Sequence, residues 1–353
     1  MEKTMVQSRK NYWSLDVAKF ICAVFIIAAH FAAEWGKFPT IIDYGFSLYV
    51  IAVPFFFCCS GFLFFKKWLP MDKENRRKYL ISYQKRIWIM YGCWTAVYLP
   101  FLIISWIKKG ILGLPKILNW LHTALVFQTY STIWFLPALA VGIAITCFLI
   151  SRFSKRTVMG IAVLLYVFGM LGYTYKFLID GTVIGSVMDV YLLVFKTSRN
   201  GLFNAVPFIF MGCIFAEEES ISSCKELFKN TIFAIVSLFF VILEAFFLKI
   251  KFSVTGMDIG LFLVPFTYFF IKALLNIELK ENKLWPWCRK LSLLMFVSQR
   301  LFLSALPIVL PSTFKMLYGN SYIGLVVVLV LTIGFSVLFI KLSEKIEVLK
   351  AFI

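Results

Sequence analysis

The sequence predicts an all-α fold, a polytopic transmembrane helix bundle of about ten spans forming one domain over residues 1–353, and three observations predict it. Hydrophobic residues make up 61% of the chain and charged residues only 15%, far from the roughly one quarter charged in soluble proteins. Apolar stretches recur at a length near the ~20 residues a bilayer demands of a helix. Basic residues are unequally shared between the two sets of loops those stretches define. With the N-terminus inside, 24 of the 36 Lys and Arg fall on the inner side and 10 on the outer, leaving Lys19 and Arg300 within spans. By the positive-inside rule this predicts a multi-pass protein of the cell membrane with both termini cytoplasmic.

The expected spans are about 14–34, 43–65, 87–106, 132–151, 157–177, 201–216, 230–248, 257–275, 290–310 and 322–341. The first follows an N-terminus without a short apolar region and small-residue cleavage site, which predicts a retained anchor rather than a removed signal. The net charge of +18 would point to nucleic acid in a soluble chain. Here it clusters in short loops, and no nucleic-acid motif accompanies it. Six of the eight cysteines lie inside expected spans without CxxC spacing, so neither a disulfide framework nor a zinc site is indicated, and no metal is expected. HExxH, GxSxG and glycine-rich phosphate loops are absent from the sequence.

Charge enters the membrane in the first span. A helix turns about 100° and rises 1.5 Å per residue, so His30 returns to within about 20° of Lys19, roughly 16 Å further along. Asp16, three residues before Lys19, can pair with it. A charge at membrane depth costs at least ~2.5 kcal/mol on insertion scales and so tends to face protein or water on a functional path. The plainer readings are a Lys19 that snorkels to the headgroups and a His30 that only packs helices.

After the second span, residues 66–86 form the most basic stretch and end at Lys85-Arg86. They suit either anionic headgroups or the phosphates of a coenzyme. Residues 110–127, with Trp120 and His122, are amphipathic and suit an interfacial anchor. Asp180, Asp189, Arg199 and Asn200 fall in the outer loop before the sixth span, and Glu217-Glu218-Glu219 in a solvated inner turn. Glu244 closes the seventh span on the outside, and Asp258 opens the eighth. His30, Arg199, Glu244 and Asp258 therefore occupy the outer half, and Lys19, Lys85 and Arg86 the inner half. The ninth span carries Gln299-Arg300, and the tenth is featureless.

A basic residue, ten intervening residues and a histidine, preceded by Leu15-Asp16, resembles the opening signature of the acyltransferase family 3 integral membrane proteins, with Lys19 where the family usually has arginine. Val53-Pro54-Phe55-Phe56-Phe57 with Ser60-Gly61-Phe62, then Trp134-Phe135-Leu136-Pro137-Ala138-Leu139, then Arg199-Asn200-Gly201-Leu202-Phe203 resemble later family segments in the family's order. The likeness covers nearly the whole chain. It is greatest to the smaller members that include the membrane half of vancomycin-resistance serine racemases, where a Glu likewise precedes a short loop and an Asp.

The resemblance implies a membrane O-acyltransferase moving an acyl group, acetyl by expectation, from cytoplasmic acyl-CoA to a hydroxyl of an envelope glycan or lipid-linked sugar. Acyl-CoA is then a co-substrate, and no cofactor is held permanently. His30 would be general base or acyl carrier, oriented by Glu244 or Asp258. Lys19, Lys85 and Arg86 would hold the donor, and Asp16, Arg199, Asn200 and Trp134 would contact substrate. Two departures stand out: positions 89 and 90 are Ile and Met where the family's basic motif continues, and Gln299 stands where the family commonly has histidine. A transporter of a small zwitterion such as serine is the second reading. A purely structural membrane partner would not need Lys19 and Glu244 inside the membrane.

Overall fold

The computed structural model describes residues 11–39, 45, 47–218, 223–254 and 256–353. The regular secondary structure of the described residues is all helix, with no strand among them. In chain order they form α1 (Trp13–Glu34), α2 (Ala52–Trp68), α3 (Lys73–Lys108), α4 (Leu114–Val126), α5 (Phe135–Arg152), α6 (Lys155–Leu171), α7 (Val183–Phe195), α8 (Val206–Glu217), α9 (Cys224–Phe252), α10 (Leu263–Leu275), α11 (Leu284–Arg300), α12 (Pro311–Tyr318) and α13 (Ser321–Ser343). Seven helical segments among the described residues are long and apolar enough to cross a membrane. Large apolar side chains on the outward faces of α6, α7 and α9, such as Leu164, Leu193 and Phe239, stand exposed as a lipid-facing surface requires.

Three expected spans prove shorter or interrupted. The fifth stops at Leu171, where Gly172 closes the helix. The sixth begins with a π-helical turn, Gly201–Ala205, before α8. The eighth becomes helical only at Leu263, so Asp258 lies in irregular backbone rather than at a helix start. The loop expected at 66–86 is largely helix instead, because Asp72 caps α3 by accepting from the backbone N–H groups of Glu74 and Asn75. Those Asn75 and Glu74 donors hold the Asp72 carboxyl below its ordinary range. The amphipathic stretch at 110–127 folds as α4, which buries no residue fully. The start of the second expected span, 43–46, lies almost wholly outside the described residues, as does Glu219.

Three helix pairs position the candidate residues. α1 and α11 run in the same direction: Asp16 meets Arg289 near their starts, His30 meets Gln299 further on, and Trp35 Nε1 donates to the Leu303 carbonyl beyond. α2 and α8 cross where Gly61 and Gly212 remove side chains from the contact; a Cβ on Gly61 would stand 2.9 Å from the Ile209 Cα. α9 and α10 run antiparallel, with Phe233 on Phe269 at one end and Phe240 stacked on Phe262 at 4.9 Å near the other. Ser14 Oγ donates to the Leu274 carbonyl and ties the start of α1 to the end of α10.

Candidate active site

The helical spacing that aligns Lys19 with His30 also brings each residue to a partner on a neighbouring element. At the deeper level, Asp16 is almost wholly buried and bridges two cations. Its Oδ1 accepts from Lys19 Nζ at 3.0 Å, while its Oδ2 accepts from Arg289 Nε at 2.9 Å and Nη2 at 2.7 Å. Lys19 is 13% exposed and Arg289 half exposed, so the cluster carries one net positive charge that reaches the surface through Arg289.

At the other level, His30 Nδ1 lies 3.0 Å from Gln299 Oε1. Gln299 Nε2 donates to the Phe296 carbonyl at 2.9 Å, an acceptor only, so the amide oxygen is the end facing His30. A carbonyl oxygen cannot donate; Nδ1 therefore carries the proton, and the lone pair of the neutral imidazole sits on Nε2. Tyr49 packs beside the ring at 6.0 Å between centroids. Arg199 and Arg300 both lie within electrostatic reach of the ring. One turn beyond His30, Glu34 pairs with Arg300, the residue after Gln299.

Arg199 organises the remaining candidates. Its Nη1 donates to Asp258 Oδ2 at 3.0 Å, and its guanidinium lies 4.7 Å over the Trp134 ring and 5.6 Å over Tyr173. Tyr173 OH donates to the same Asp258 oxygen at 3.1 Å. Arg199 Nε is buried without a hydrogen-bond partner. Asn200, by contrast, is used up within the chain: its Oδ1 accepts from Leu202 and Phe203 N–H, and its Nδ2 donates to Tyr191 OH and the Thr197 carbonyl. It caps the π turn that follows Arg199 and presents no free amide to a substrate, contrary to the expectation.

One other expectation is corrected. Neither Glu244 nor Asp258 is the hydrogen-bond partner of His30; Gln299 is. Glu244 instead accepts the backbone N–H groups of Leu261 and Phe262, and Tyr175 OH as well. With Tyr166 OH on the Gly260 carbonyl and Thr174 Oγ1 on the Gly256 carbonyl, it satisfies the irregular backbone between α9 and α10, as non-helical chain at membrane depth requires. Lys85 and Arg86 stand exposed on α3, where Arg86 Nη2 donates to the Ile353 carbonyl at 3.3 Å. Among the described residues, no hydrogen bond or ion pair joins either to Lys19 or His30.

Sequence reasoning missed Arg289, Tyr173 and the role of Gln299. The one usable signal was Arg289 at an inner span end, a second cation at the level of Lys19; nothing local ties Gln299 to His30. Both π turns, Gly201–Ala205 and Leu301–Ala305, directly follow a site pair, Arg199-Asn200 and Gln299-Arg300. Such turns concentrate at functional positions.

The acyltransferase domain family (Acyl_transf_3) matches residues 12–341. The chain is 25% identical over 330 residues to a serine/alanine racemase of Enterococcus gallinarum, covering 93% of this chain and 46% of that one. It is 30% identical over 210 residues to an amino-acid racemase of Enterococcus faecalis, covering 58% and 28%, and 22% identical over 349 residues to another from the same organism, covering 95% and 47%. The chain thus spans under half the length of these curated relatives. No solved structure matches. With a family match that takes in both levels of the site, from Asp16 to Arg300, this multi-pass membrane protein belongs to the acyltransferase-3 family.

Proposed function

We propose that this protein transfers an acetyl group from cytoplasmic acetyl-CoA to a hydroxyl of an envelope glycan or lipid-linked sugar, with both termini in the cytoplasm. The observation that carries the reading is the His30–Gln299 pair, which supplies a neutral imidazole with Nε2 free, on the same helix face as the Lys19–Asp16–Arg289 cluster. In the simplest course, the acceptor oxygen bonds to the acetyl carbon as the carbon–sulfur bond breaks. Nε2 takes the hydroxyl proton and passes it to the departing thiolate, so His30 ends neutral. Lys19 and Arg289 hold donor phosphates or the pantetheine carbonyl at the inner level, with the pantetheine arm running along α1. Arg199, held by Asp258 and Trp134, faces the reacting centre from the other side. Incubating purified protein with acetyl-labelled acetyl-CoA and an envelope extract tests the reading: label appears in saccharide, and a preparation that never consumes acetyl-CoA overturns it.

A second reading has one observation in its favour: all three relatives are named as racemases of amino acids, which recommends a small zwitterion as cargo. Labelled serine moving across proteoliposomes without acetyl-CoA consumption would select it. Orientation is tested separately. An impermeant thiol reagent added to intact cells should leave Lys73→Cys and Glu347→Cys unlabelled, and labelling of either places the termini outside.

A further inference from the structure

Near the His30–Gln299 pair lies an open cleft of about 400 Å³, walled by α4, α3 and the chain after α4. That size is in the range of small-molecule sites, roughly 300–1,000 Å³. The Glu34–Arg300 pair is part of its lining. Glu34 is one helical turn, about 6 Å, beyond His30, and Arg300 directly follows Gln299, so the pair lies one turn from the imidazole. Two buried polar atoms at the cleft have no partner: Gln128 Oε1, an acceptor, and Arg300 Nε, a donor. Leaving such groups unpaired costs about 1–3 kcal/mol each, which a ligand offering both donors and acceptors removes.

The walls are aromatic and stiff. Trp106 and Trp120 meet edge to face at 6.3 Å, and Trp120 Nε1 donates to the Thr129 carbonyl. Tyr130 stacks on Tyr98 at 4.5 Å and shares a hydrogen bond with Ser304. Thr132, just past the cleft, holds φ +68°, a left-handed conformation costing about 1–3 kcal/mol in a β-branched residue, with its buried hydroxyl unpartnered. The strained segment carries Tyr130 to the cleft and Trp134 to Arg199. Glu34, Arg300 and Lys116 give the lining one surplus positive charge.

We infer that this cleft binds a carbohydrate of one or two hexose-sized units, neutral or singly anionic, with a hydroxyl directed past the Glu34–Arg300 pair toward His30. Tryptophan faces cover the apolar face of a pyranose, and the unpaired acceptor and donor take its hydroxyls. The inference rests on the acyl-transfer reading only for the fate of that hydroxyl. Cellobiose and N,N′-diacetylchitobiose, titrated into detergent-purified full-length protein, should each change tryptophan fluorescence saturably. Affinity should fall at least tenfold in Trp120→Ala and Gln128→Ala, stay within threefold in Trp120→Phe, and be unchanged in Trp88→Phe, a tryptophan on the exposed face of α3. Absence of a saturable response to both sugars, or full affinity in Trp120→Ala and Gln128→Ala proteins that elute as folded, overturns the inference. Acetyl-CoA consumption measured on the same preparation separates the two claims. Sugar binding at the cleft without acetyl-CoA consumption retains the carbohydrate site and rejects acyl transfer; consumption without sugar binding does the reverse.

Discussion

His30→Ala should abolish acetyl transfer while leaving the protein folded and able to bind acetyl-CoA. General acid–base help is worth roughly 10²–10⁴ in rate and little in affinity, and in the proposed reading Lys19 and Arg289 would hold the donor roughly 16 Å along α1 from His30. If His30 carries the acyl group covalently, the loss is complete. Gln299 sharpens the test, because in the proposed reading it would act only through His30, by accepting from Nδ1. Gln299→Leu should lower turnover at least tenfold with an unchanged Michaelis constant for acetyl-CoA. Gln299→Glu, which still accepts from Nδ1, should recover part of the loss and displace the pH–rate profile, since a carboxylate stabilises an imidazolium and an amide does not. A merely structural glutamine would leave that profile where it was. Near-normal turnover in His30→Ala removes His30 from the chemistry altogether.

Asp16→Leu should produce the largest stability loss in the molecule. It strips both cations of one buried carboxylate, and Lys19, only 13% exposed, is left unpaired inside the bundle. Breaking a buried pair from one side costs about 3–5 kcal/mol, whereas replacing the pair by apolar groups is often nearly neutral. Asp16→Leu combined with Lys19→Met should therefore recover much of the thermal stability that Asp16→Leu loses, as read by retention of the monodisperse elution peak after heating. The recovery concerns folding alone; donor binding should remain impaired in the double variant. Equal stability of wild type and Asp16→Leu would mean that Lys19 reaches water unaided and that the cluster is a surface feature.

The parts of this site that could be read from the chain are those set by local geometry. The Lys19–His30 face and the Asp16–Lys19 pair follow from helical periodicity, and the structure contains the pair at 3.0 Å. The His30–Gln299 contact joins positions 269 residues apart and exists only because α1 and α11 run parallel in one register, which no local pattern encodes. For Glu244 the resemblance implies a residue that orients His30. Its work turned out to be backbone satisfaction, and only the irregular path from Val254 to Phe262 reveals the need for it. Asn200 misled for a related reason: an amide beside an arginine looks like a binding group until the turn it caps is seen. Lys85 and Arg86 stand exposed on α3 and not in a loop, because the expected basic loop is largely that helix.

In α11 and the π turn at Leu301–Ala305, chain length, rather than residue chemistry, is a control on this site. The turn is closed by the Leu306 N–H reaching back five positions to the Leu301 carbonyl, so it holds one residue more than an ordinary helical turn. Deleting a single residue there would let the helix return to regular winding with its two flanks still in phase, because a bond reaching back five positions and one reaching back four each close about one revolution. Deleting a residue from the regular winding between Leu291 and Gln299 has no such slack, and would rotate Gln299 by about 100° against the turn that holds Arg289 on Asp16. Every named side chain would survive either deletion. A homologue one residue shorter in the regular part could therefore keep all the signature residues and still lack an assembled centre, whereas one shorter in the π turn could keep both.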